Sequence, residues 1–239
     1  MQAIRLSPHL APSRPPGGCT SFRVLAVGGG GALDWCYGGS SGQVRTGTFS
    51  VSAPVPVTVG AGGVGNSSNN PTQRTGGDSS FGSFLTATGA SGANGDGFST
   101  GGRCGSNGNP SAQAGDGGSG GAAGQPNTNG DPTVGTAGLN DPDYISLFSQ
   151  VTISNGSGGN GGGPSVSGSD SGGGGGAGGI LIDGSGPSGT AGTHGASLGG
   201  FPCQGYGAGS GGGGLDASPF AFGVRGVGAD GVVYIEWDS

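Results

Sequence analysis

The feature that most constrains this chain is Ser171–Ile180, SGGGGGAGGI, where five consecutive glycines, one alanine and two further glycines run straight into the apolar triplet Ile180, Leu181 and Ile182. No side-chain core can be built from such a stretch, and glycine loses more backbone freedom on ordering than any other residue. The same composition recurs at Gly28–Gly31, Gly158–Gly163 and Gly209–Gly214. Glycine text of this kind has two physical solutions. One is a flexible linker. The other is a set of extended threefold helices without internal hydrogen bonds, whose backbone groups find partners on neighbours that only glycine lets come close. The eight residues Gly172–Gly179 would then span about 25 Å.

Charge favours order over coil. Disordered chains are rich in charge, whereas only 8% of these 239 residues are charged. There is no lysine; the seven basic residues are all arginines, and Glu236 stands beside twelve aspartates. A formal net charge of -6 with so few cations cannot make a phosphate-binding stripe, so nucleic acid is not an expected partner. No apolar run reaches bilayer-spanning length, and Met1–Gly18 lacks the apolar centre of a signal peptide. Release by cell lysis, inside an assembled particle, is one route by which such a chain would reach the outside.

The N-terminal 1–20 segment holds four prolines and reads as an extended arm, leaving 21–239 as one domain. Ser21–Val27 alternates Phe22, Val24 and Ala26 with Arg23, Leu25 and Val27, which predicts a strand. Gly42–Phe49 follows as a second extended segment. Val51–Val59, VSAPVPVTV, sets its valines and Ala53 on one face and Pro54 and Pro56 on the other, predicting an edge strand. Phe81 and Phe84 are expected anchors for a glycine layer. Residues 91–138 carry almost no large apolar side chain. Asn140–Pro142 is a helix-cap pattern that predicts one turn burying Tyr144, Ile145, Leu147 and Phe148, with a strand over Gln150–Ile153. At the end, Val233, Ile235 and Trp237 share a face opposite Val232, Tyr234 and Glu236. Apolar strands at both ends of an apolar-poor middle predict that the two pair, with the glycine segments as long excursions.

No reaction chemistry stands out. Asp141 and Asp143 fit a cap, Ser169 and Ser171 lack a nucleophile-elbow context, and neither His9 nor His194 has a partner in the text. VLAVGGGG has a strand before its glycines but neither the following helix nor the Lys-Ser/Thr signature of a nucleotide loop. Cys19, Cys36, Cys104 and Cys203 fit no zinc spacing and allow three disulfide pairings. The expectation is therefore no enzyme, no cofactor and no metal. Trp35, Tyr37 and Tyr206, in two aromatic loops between glycine runs, are the candidate contact residues.

Taken in order, VLAVGGGG, VTVGAGGVG, GGDSSFGSF, GGGGGAGGI and GVGADGVVYIEW resemble the glycine-rich domain of bacteriophage tail and appendage proteins, a resemblance covering Phe22–Trp237. It implies a mainly β fold: a small β-sandwich of N- and C-terminal strands carrying packed polyglycine II helices. It also implies a virion location and a structural role at a tail, fibre tip or surface appendage. Expected partners are other virion structural proteins, a host surface receptor or glycan, and further copies in a symmetric oligomer. The alternatives are a shell decoration without receptor binding and a secreted glycine-rich matrix protein.

Overall fold

The computed structural model describes residues 2–6, 21–32, 38–65, 75–90, 144–156, 177–188, 204–210 and 226–237. The fold is mainly β, in small antiparallel sheets, with one helical turn among the described residues.

The central sheet has the order β1-β9-β2-β3, formed by Gln2–Leu6, Val232–Trp237, Ser21–Val27 and Val44–Ser50. The first strong apolar strand and the last one pair as their composition predicts, from Phe22 opposite Trp237 to Val27 opposite Val232. Every residue of β9 is buried, because it lies between two strands and beneath packing on both faces. Its second neighbour differs from expectation. Gln2–Leu6, read from the sequence as part of an arm, is an edge strand paired with β9 from Gln2 opposite Trp237 to Leu6 opposite Val233. A buried strand must have its backbone donors and acceptors satisfied on both sides, and this short segment supplies them.

The period-two pattern gives the central sheet two apolar faces. One carries Phe22, Val24, Ala26, Val233, Ile235 and Trp237. It packs against β5 (Ser79–Phe81) and β6 (Leu85–Ala87), which form a three-stranded sheet with β4 (Val57–Thr58). The other face carries Leu25, Val27, Val44, Val232 and Tyr234, and packs against β7 (Ile153–Asn155), β8 (Ile180–Ile182) and Phe148. Phe148 follows the single helical turn α1 (Tyr144–Leu147) and meets Tyr234 edge-on at 5.3 Å between centroids.

Val51–Val59 is shorter as a strand than its alternation suggests. Only Val57–Thr58 enters a ladder, since Pro54 and Pro56 have no N–H to donate. The alternation still governs burial: Val51, Val55, Val57 and Val59 pack half-buried against the first face, while Ala53 is exposed. Of the two expected anchors, Phe81 is buried and Phe84 remains 48% exposed. The predicted turn is present at 144–147, and the strand after it begins at Ile153.

Candidate functional site: the far end of the glycine segments

Glycine segments continue directly from the strands. β2 runs into Gly28–Gly31, Gly38–Gln43 runs into β3, Gly60–Gly65 follows β4, and Thr75–Asp78 precedes β5. Thr88–Ala90 follows β6, Ala177–Gly179 precedes β8, and Gly226–Gly231 precedes β9. Each leaves or joins a sheet at one end, so all are anchored by apolar packing there.

The segment 28–31 lies in the middle. Its N–H groups donate in turn to Gln43, Gly77, Ala229 and Ser40 carbonyls, at 2.9 Å each. Its carbonyls accept from three further segments: Gly29 from Ala90 (2.9 Å), Gly30 from Gly63 (2.8 Å) and Gly31 from Ser210 (3.1 Å). A backbone surrounded in this way has room for hydrogen only. A Cβ built on Gly30 collides with the carbonyl of Ala208, and one on Gly42 collides with the carbonyl of Gly28. Bonds among the outer segments continue the pattern: Gly39 and Gly42 donate to Ser210 and Gly207, and Gly228 and Gly231 donate to Gly63 and Gly60.

Polar side chains close the gaps left near the sheet. The Ser79 hydroxyl donates to the Val27 carbonyl at 2.6 Å and accepts from Gly60 N–H at 3.0 Å. Asp230 accepts from Gly62 N–H at 2.8 Å, and Asp78 from Gly89 N–H at 2.9 Å.

The segments run on to a far end, away from the strands they continue. Lateral bonds from Gly39 to Ser210, Ala177 to Gly39, Gly63 to Gly30, Gly228 to Gly63 and Gly76 to Ala90 tie the segment ends together. Connections 33–37, 66–74 and 211–225 leave and return there, 91–143 leaves from it and 157–176 returns to it. Trp35 and Tyr37 belong to the first of these connections and lie outside the described residues, as do all four cysteines and both histidines. Tyr206 is placed apart from that end. It exchanges backbone bonds with Ile180 of β8, at 2.8 and 3.1 Å, and packs half-buried against the Leu25–Tyr234 cluster. Of the three candidate contact residues, Tyr206 is therefore the one that lies among the described residues, and its ring packs against the core.

The family comparison bears on this arrangement as a whole, because the match runs through the strands and the glycine segments alike, over residues 11–238. The chain belongs to the glycine-rich domain family. No match was found among curated proteins.

Within this glycine-rich domain, one charged cluster escaped the sequence reading. Glu236 on β9 is fully buried and meets Arg23 of β2 at 2.9 Å, its cross-strand partner. The same carboxylate accepts from the Ser149 hydroxyl at 2.7 Å, from Ser149 N–H at 3.1 and 3.2 Å, and from Gln150 N–H at 3.2 Å. Burial pushes the Glu236 carboxyl up. The Ser149 hydroxyl, the Gln150 and Ser149 N–H groups and the Arg23 guanidinium together outweigh burial and hold it below its ordinary value. The cluster fastens the stretch after α1 to the central sheet. A single Glu in an otherwise apolar strand was the only signal of it. Among the described residues, no group of three His, Cys, Asp or Glu side chains is placed to hold a metal ion, and no helix is long and apolar enough to cross a membrane.

Proposed function

We propose that this chain is a structural subunit of a bacteriophage particle, at a tail, fibre tip or surface appendage, that presents its connecting loops to a host surface. The glycine segments are polyglycine II helices in this reading, and the stacked small sheets are the β-sandwich that carries them. The threefold helices are supported by the order of donors along 28–31: three successive N–H groups face three different neighbours, and the fourth returns to the first.

The observation that carries the functional reading is the shared far end of the glycine segments, on which connections 33–37, 66–74 and 211–225 are all rooted. A frame held by backbone bonds leaves loop side chains free for recognition, and loops on a rigid support are the usual place for it. Trp35 and Tyr37 supply aromatic contacts to a receptor or glycan, and loop Asn, Ser and Asp supply hydrogen bonds. Other particle proteins and further copies of this chain are the expected neighbours.

Immunogold imaging of intact particles with an antibody to this chain tests the assignment. Label at the distal end of a tail or fibre is the expected result. Label distributed through the shell overturns host recognition and leaves an architectural role. Alanine at Trp35 and Tyr37 is expected to lower particle adsorption at least tenfold without changing the melting temperature.

A further inference from the structure

A groove of about 420 Å³ lies between the extended stretch 50–58 and the tip of the β5–β6 hairpin. It is away from the loop-rooted end, on the sheet side of the molecule. Its volume falls within the range of small-molecule sites.

Three properties of the groove restrict what fits it. Its hydroxyl groups come from Ser50, Ser52, Thr58, Ser80 and Ser83, and its aromatic wall is Phe84. These five hydroxyls make no side-chain hydrogen bond among the described residues. No charged side chain lines it. The wall is also rigid. Phe84 is braced by Phe49 and Phe81 at 5.8 and 6.0 Å between centroids, and its N–H donates to the Phe81 carbonyl at 3.1 Å. Gly82 N–H donates to the Pro56 carbonyl at 2.8 Å, tying the hairpin tip to the opposite bank.

An ionic ligand would lose water without gaining a counter-charge. A hydrocarbon would strand the serine hydroxyls. A peptide adding as a strand needs a run of backbone donors, and Pro54 and Pro56 remove two from this bank. A pyranose ring satisfies all three conditions, because it has an apolar C–H face for the ring of Phe84 and a rim of neutral hydroxyls for the serines. We infer that this groove is a binding site for a neutral saccharide, stacked on Phe84 and hydrogen-bonded to the hydroxyl row. The inference does not depend on the particle assignment, since the groove residues are separate from the loops proposed to recognise a host.

The test uses the whole ¹⁵N-labelled chain titrated with neutral trisaccharides of glucose, galactose, mannose and N-acetylglucosamine, with sialyllactose as a charged comparison. At least one neutral saccharide is expected to shift the amides of 50–58 and 80–84. Phe84→Ala is expected to weaken that binding about five- to tenfold, and Ser83→Ala to weaken it by a smaller factor. Phe84→Trp, which keeps an aromatic face, is expected to retain it. Shifts confined to other residues, binding of the charged sugar alone, or no shift with any of the neutral sugars would overturn the inference. Unchanged affinity in both alanine variants would do so too.

Discussion

Replacing Gly30 with alanine puts a methyl group against the Ala208 carbonyl, where no side chain can move aside because both neighbours are backbone. The segments must part. Three bonds meet at that point: Gly30 to Ala229, Gly63 to Gly30, and Ala229 to Ala208, at 2.8–2.9 Å. At about 1 kcal/mol each, their loss costs about 3 kcal/mol. The alanine returns about 0.4–1 kcal/mol by restricting the unfolded chain, so the net loss is about 2 kcal/mol or more. For a chain of this size that corresponds to a fall of about 4–8 °C in melting temperature. Gly184→Ala is the comparison. It has left-handed backbone, φ +69°, but nothing within 4 Å of an added Cβ, so it bears only a backbone cost of about 1 kcal/mol. Urea denaturation of the two variants measures both. A Gly30→Ala loss below about 0.5 kcal/mol, or one smaller than that of Gly184→Ala, would refute the close-packing argument.

Ser79→Ala leaves the Val27 carbonyl and Gly60 N–H without their buried partner, and is expected to cost about 2 kcal/mol by the same denaturation assay. Phe148→Ala empties the space against Tyr234 at a cost of about 3–5 kcal/mol, with hydrogen exchange rising first in 144–155. Glu236→Ala removes the acceptor that Arg23, Ser149 and Gln150 share and is expected to cost about 1.5–3 kcal/mol; Arg23→Ala costs less, because the carboxylate keeps its other donors. The folded Glu236 carboxyl is held below its ordinary value of 4.5, so its contribution is present above that value and is lost as pH falls through the folded one. Glu236→Gln should therefore flatten part of the acid limb of a stability–pH curve, and an unchanged limb would count against this account.

The strands that the sequence shows clearly are those with side-chain alternation, β2 and β9, and their pairing follows from their being the apolar ends of the chain. β1 is not legible in the same way. QAIRL is too short and mixed to carry a period, and it becomes a strand because β9 has an open edge for it. The valine alternation of 51–59 foretells which side chains are half-buried and overstates the ladder, because burial depends on side chains and ladders depend on N–H groups that proline lacks. The glycine text foretells close backbone contact but not its partners. Gly28, Gly29 and Gly30 bond to residues 43, 77 and 229, and nothing local encodes those separations. Tyr206 reads as a loop aromatic, yet its burial depends on β8, whose position is a property of the whole fold.

The central segment 28–31 is recognised by its neighbours through peptide groups, which every residue possesses, and the requirement on its sequence is chiefly that side chains be missing. Such a frame is almost indifferent to what is spliced between its members. Changing the length of a connection at the far end therefore leaves the bonds of 28–31 in place as long as its glycine borders are kept. The frame works as a socket board, whose wiring is peptide groups and whose specification is the absence of side chains.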